Sequence, residues 1–158
     1  MTQKLDVTVA AIIEADDRFL VVEEKAGGEI VFNQPAGHLE PGESLTAAVI
    51  RETYEETGFS FEPDSVLGLY LWHCDEADTS FLRVAFCGNA VPPDADPTLD
   101  EGILATHWLT RAQLIAREAR LRSPLVLRCL DDYQAGIRHP ISMISELPAD
   151  KLMSLVGA

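Results

Sequence analysis

Apolar and β-branched residues gather in runs at 7–13 and 18–24, separated by the polar stretch Glu14-Ala15-Asp16-Asp17, a pattern that predicts a hairpin of two strands. A short strand is expected around Val31. Residues 65–74 and 81–91 form a second strand pair across the polar turn 75–80, and 106–109 reads as one more short strand. Between the two pairs, Leu45–Thr57 contains neither Gly nor Pro; Ser44 precedes it as an N-cap and Gly58 follows as a left-handed stop. The spacing predicts a helix of about three and a half turns. Residues 114–120 are helical in composition. Ser123 and Pro124 are suited to the N-cap and first position of a further helix stopping at Gly136. The Pro/Asp-rich segment 91–100 reads as a loop. Strands interleaved with helices make this an α/β chain with a mixed sheet.

The C-terminal half of the 45–57 helix is unusual. At about 100° per residue, Glu52, Glu55 and Glu56 fall within one arc of about 100°. Each like-charged pair costs a few tenths of a kcal/mol, and negative charge in a last helical turn opposes the helix dipole. Two readings follow: a solvated acidic face, or carboxylates gathered to bind a cation.

These acids have specific company. Gly37, Glu43, Arg51, Glu52, Glu55, Glu56 and Gly58 match all seven fixed positions of the Nudix box, G-x5-E-x7-R-E-U-x-E-E-x-G-U. With residue frequencies near one in fifteen, such a match arises by chance on the order of once in a million chains of this length. The chain strongly resembles a Nudix hydrolase. Thr53 and Phe59 depart from the aliphatic residues usual at two softer positions, and a buried Thr53 hydroxyl would need a partner.

The resemblance implies an α/β/α sandwich with a mixed sheet, whose strand order comes from the family and not from periodicity. It also implies a metal site of Glu52, Glu55, Glu56 and the Ala36 carbonyl, holding Mg2+ or, in its place, Mn2+. Mg2+ prefers oxygen ligands, keeps several waters and acidifies one of them. Arg51, four residues before Glu55, suits holding a carboxylate in place. Glu43 either stabilises the helix start, orients the loop or reaches the metal through water. Gly37 fits a close approach to phosphates, and Gly58 is explained as a helix stop. For the general base the resemblance points to a later loop, where Glu101 of the Asp100-Glu101 pair is preferred; Glu55 is the competitor, and loop solvation is the plain alternative.

The chain's 158 residues suit one domain, 1–158, with a C-terminal helix and tail from about 123. A net charge of -14 excludes a broad surface for long nucleic acid or an anionic membrane, so binding an anionic substrate requires local positive charge. No apolar run of about twenty residues and no leader-like N-terminus are seen, so a cytoplasmic protein is expected. Cys74, Cys87 and Cys129 read as reduced thiols.

Residues 72–86, with Ser80-Phe81-Leu82-Arg83, and the stretch Arg122-Ser123-Pro124-Leu125-Val126 through Tyr133, Gly136, Arg138, Pro140 and Ile144 resemble the NudJ phosphatase subgroup. That likeness implies hydrolysis of small pyrophosphates: hydroxymethylpyrimidine pyrophosphate, thiamine pyrophosphate, and nucleoside di- and triphosphates, with release of orthophosphate. Arg83 and Arg122 are candidates for phosphate contact, and Trp72 and Phe81 for stacking on a pyrimidine; core packing and ion pairing are their structural alternatives. Two other readings are a MutT-like triphosphate pyrophosphohydrolase releasing pyrophosphate, and a non-catalytic nucleotide-sensing module. Monomer and homodimer both stay open.

Overall fold

The computed structural model describes residues 3–147. Its chain order is β1 (Lys4–Ile12), β2 (Glu14–Ala15), β3 (Arg18–Ala26), β4 (Glu29–Asn33), β5 (Ala36–His38), α1 (Leu45–Thr57), β6 (Ser60–Cys74), β7 (Thr79–Val91), β8 (Ile103–Leu109), α2 (Arg111–Ile115), α3 (Leu125–Gln134) and β9 (His139–Pro140). The tail at 148–158 lies outside the described residues.

Two sheets form. The first is mixed, in the order β5-β1-β7-β6-β9, with β1 parallel to β7 and the other neighbours antiparallel. The second joins β2, β3 and β4, with β8 on the free side of β3. Alternation along the central strands sorts the core into two layers. Val9, Ala11, Val84 and Phe86 face Ala48 and Val49 of α1. Ile12, Ala85 and Cys87 turn the other way, toward Phe19 and Val21 of the second sheet and Cys129 and Leu130 of α3.

The expected hairpin of 7–13 with 18–24 does not form along its length. β1 instead pairs with β7 from Lys4↔Thr79 to Ile12↔Cys87, and the chain crosses to the second sheet after it. Only Glu14 and Ala15 pair with the start of β3, through an Asp16-Asp17 turn with φ of 52° and 60°. Two consecutive positive φ values are the signature of a tight turn matched to strand twist, and Asp tolerates them better than most residues.

The expected 114–120 helix also divides. A capping box of Thr110 and Gln113 starts α2 earlier, and Arg117 leaves helical geometry (φ -107°, ψ 16°) before a 3-10 turn at Glu118–Arg120. β6 starts at Ser60, earlier than expected, because Pro63, which has no N–H, is accommodated where the register against β7 shifts. α1 has the expected bounds: Ser44 Oγ accepts from Ala47 N, and Gly58 takes φ 76°. The buried Thr53 hydroxyl has its partner, donating to Val49 O at 2.7 Å.

Candidate active site

β5 is where helix α1 and the mixed sheet meet. Val9 pairs with Gly37 in the β1–β5 ladder, flanked by the bonds Ala11 N→Pro35 O and Leu39 N→Val7 O. Alternation then turns the N–H and C=O of Ala36 and His38 to the outer edge. The side chains of α1 use that edge. Ala36 N donates to Glu56 Oε1 at 2.8 Å, and His38 O accepts from Arg51 Nη2 at 3.1 Å. Gly37 leaves the space that the Glu52 carboxylate fills: a Cβ there would collide with it. The Ala36 carbonyl shares this edge with both carboxylates.

Arg51 organises the helix face. Its Nε and Nη2 donate to the two oxygens of Glu43 (2.6 and 2.9 Å), a bidentate pair, and its Nη1 reaches Glu52 (2.9 Å) and Glu55 (3.1 Å). Glu43 Oε1 also accepts from Glu40 N at 3.0 Å. Glu43 therefore ties the loop to the helix. The Arg51 guanidinium holds its carboxyl below the usual range, while the Arg51 pKa is itself raised by these partners.

Glu56 stands apart. It is 7% exposed and has no cationic partner among the described residues. Burial pushes its carboxyl up to about 9, opposed by the Ala36 N–H and reinforced by repulsion from Glu24, Glu52 and Asp100. Burial also raises Glu52, with Arg51 pulling the other way.

The three helix acids do not converge as a ready-made cluster. Among the described residues no three His, Cys, Asp or Glu side chains are gathered closely enough to hold an ion. Glu55 is the most open of the three, its side chain 38% exposed, while Glu52 and Glu56 line the cavity beside β5. The donors on the wall are hard oxygens, and Glu56 is a buried carboxylate short of a positive partner. Two carboxylates and a carbonyl with room for water fit a divalent cation such as Mg2+.

The cavity beside them measures about 340 Å³. Its wall brings together Ala36, Gly37, Glu52 and Glu56 with all four residues expected to meet substrate: Trp72, Phe81, Arg83 and Arg122. Trp72 and Phe81 stack at 5.7 Å with an interplanar angle of 21°. Arg122 pairs with Glu24 at 3.0 Å.

Sequence reasoning missed Glu24, Asn33 and Ser123 on this wall. Glu24 left a faint signal as one of two acids, with Glu23, that close the run 18–24; Asn33 left none. Glu101 is exposed and off the cavity wall; the contact of its loop with α1 is made by its neighbour, Asp100 N to Glu55 O at 2.9 Å. Gly58 serves the helix stop and also packs against Pro97, where a Cβ would clash.

Residues 3–129 match the family model described as NUDIX domain. The chain is 39% identical over 143 residues to Phosphatase NudJ of Escherichia coli (strain K12), covering 90% of this chain and 92% of that protein. It has the same identity and coverage with Phosphatase NudJ of Shigella sonnei. Among solved structures it resembles a NUDIX hydrolase from Nitrosomonas europaea, with TM-score 0.89 and 46% identity, covering 93% of this chain and all of that one. The fold is shared with a MutT protein from Methanosarcina mazei, at TM-score 0.69 and 22% identity over 86% of this chain and 98% of that one. With its complete box at the junction of α1 and β5, the chain belongs to the Nudix hydrolase family, enzymes acting on phosphorus-containing anhydrides.

Proposed function

We propose that this enzyme is a Mg2+-dependent phosphatase of small pyrophosphates, with Mn2+ able to replace Mg2+. Its proposed substrates are hydroxymethylpyrimidine pyrophosphate, thiamine pyrophosphate and nucleoside di- and triphosphates, and its phosphorus product is orthophosphate. One observation carries the reading: a single cavity joins the Glu52–Glu56–Ala36 edge to an aromatic pair and two arginines. Its volume suits one small molecule. The likeness to Phosphatase NudJ supports the choice of orthophosphate over pyrophosphate as product.

Glu52, Glu56 and the Ala36 carbonyl would hold the metal, as the family generally uses divalent metals. Bound there, Mg2+ offsets phosphate charge and lowers the pKa of a bound water. Arg51 keeps Glu52 turned toward β5, and Gly37 lets that carboxylate sit against the backbone. Arg122 contacts phosphate, at the expense of its pair with Glu24. Trp72 and Phe81 give the organic part an apolar wall and exclude water.

For the base that takes the proton of the attacking water we prefer Glu24 to Glu101 and Glu55. Glu24 lines the cavity beside Glu56, and the other two do not. Turnover of each proposed substrate, with orthophosphate and pyrophosphate assayed separately in Mg2+ and in chelator, tests the reading. Pyrophosphate from a nucleoside triphosphate would favour MutT-like chemistry instead.

A further inference from the structure

Two ionisable side chains in the cavity wall are buried without a partner of opposite charge among the described residues. One is Glu56. The other is Arg83, 4% exposed, in β7 between Thr8 of β1 and Tyr70 of β6. Its Nη1 donates to Gln34 Oε1 at 3.0 Å and its Nη2 to Asn33 Oδ1 at 3.2 Å, while Nε has no partner. Both acceptors are neutral amides.

These amides are held in place. Gln34 is 1% exposed, and its Nε2 donates to Val126 O of α3 at 2.8 Å, which fixes the amide with Oε1 toward Arg83. The nearby acid of α3 is already engaged: Asp132 accepts from Tyr70 Oη at 2.7 Å and pairs with Arg128. The adjacent Cys129 thiol is pushed up by burial, against the pull of Arg83, and supplies no negative charge. A guanidinium stays protonated, so the fold carries a buried cation with one nitrogen wholly unpartnered, an arrangement that is costly unless an anion arrives.

The surroundings suit that anion. Asn33, Arg83, Ser123 and Leu125 share the cavity wall. Leu125 opens α3, a ten-residue helix whose N-terminal end favours negative charge. Resting on the function proposed above, we propose that Arg83 receives the free terminal phosphate of the substrate, the group released as orthophosphate. Gln34 and Asn33 act as positioning residues that hold the guanidinium by Nη1 and Nη2 and leave Nε unpartnered. The site then selects for an unesterified end. A diphosphate esterified at both ends would have to place its second substituent against a buried guanidinium and a helix terminus.

The test uses inorganic phosphate and the whole protein. The Nε–H resonance of Arg83, assigned by its loss in Arg83→Lys, is followed during phosphate titration in chelator. A saturable shift is expected, and phosphate should inhibit the Mg2+-loaded enzyme competitively. Arg83→Lys should weaken that inhibition about tenfold or more, the scale of one charge-assisted hydrogen bond. A nucleoside diphosphate should be turned over far faster than its terminal methyl ester. An unmoved Nε–H resonance while phosphate inhibits, or equal turnover of free and methylated ends, would overturn the assignment. If Arg83→Lys does not fold, labelling the wild-type arginines and assigning through Gln34→Leu keeps the titration decisive. Glu56→Gln should retain the phosphate shift. Full turnover in that variant would overturn the proposed function without touching the Arg83 assignment.

Discussion

Glu56→Gln changes one oxygen to an amide nitrogen and removes an ionisable group from a site that is 7% exposed. Gln can still accept from Ala36 N, so the packing is retained. In the folded wild-type protein without metal, burial holds the carboxyl up to about 9, against an ordinary value of 4.5. Between those values the folded chain keeps a proton that the unfolded chain has lost. The favourable contribution is therefore present at low pH and drains away as pH rises toward about 9. The slope is about 1.4 kcal/mol per pH unit, so raising the pH from about 6 to about 8 costs the wild type on the order of 2–3 kcal/mol relative to Glu56→Gln. Urea unfolding in chelator at both pH values measures this difference. Mg2+ should restore the wild type at the higher pH by binding the folded state, and should do little for the variant. Parallel stability curves for the two proteins across this range would refute the account of Glu56 as a buried carboxylate lacking its cation.

Gly37→Ala should drive the Glu52 carboxylate from its seat and reduce kcat/KM by about tenfold or more, as expected for a misplaced catalytic group, with an unchanged far-UV spectrum. Glu43→Ala removes a bidentate partner of Arg51 and should destabilise the fold by about 1–3 kcal/mol in urea unfolding. Gly58→Ala combines φ 76° with a clash against Pro97 and should cost about 1 kcal/mol or more, read as a lowered Tm. Glu24→Gln should lower kcat by about a hundredfold or more, the scale of a lost general base, whereas Glu101→Gln should leave kcat in place; the reverse pattern would return the base to Glu101.

How much of this was legible in the sequence varied with the range of the interactions involved. α1 could be read to its ends because Ser44 and Gly58 are local signals. Its box residues have fixed spacing on one helix. β5 left no trace, since Ala36-Gly37-His38 has neither an apolar run nor alternation; it is a strand only because β1 lies beside it. The same limit hid the parallel pairing of β1 with β7, a contact across more than seventy residues. Trp72, Phe81, Arg83 and Arg122 could be selected by residue type and resemblance, but their meeting in one cavity depends on strand order. Gln34 and Asn33 carried no signal, because their importance comes from a guanidinium on another strand. Helical periodicity placed Glu52, Glu55 and Glu56 on one face, but it carried no sign that Arg51 Nη1 bridges Glu52 and Glu55 while Glu56 is buried apart against Ala36 N.

The central claim is that this enzyme releases orthophosphate from small pyrophosphates in a metal-dependent reaction. The most direct test assays orthophosphate and pyrophosphate separately from hydroxymethylpyrimidine pyrophosphate and a nucleoside triphosphate, with Mg2+ and with chelator, for the wild type and Glu56→Gln. The account predicts orthophosphate from both substrates, only with Mg2+ and only from the wild type. Pyrophosphate as the product, or full turnover in chelator or in the variant, would contradict it.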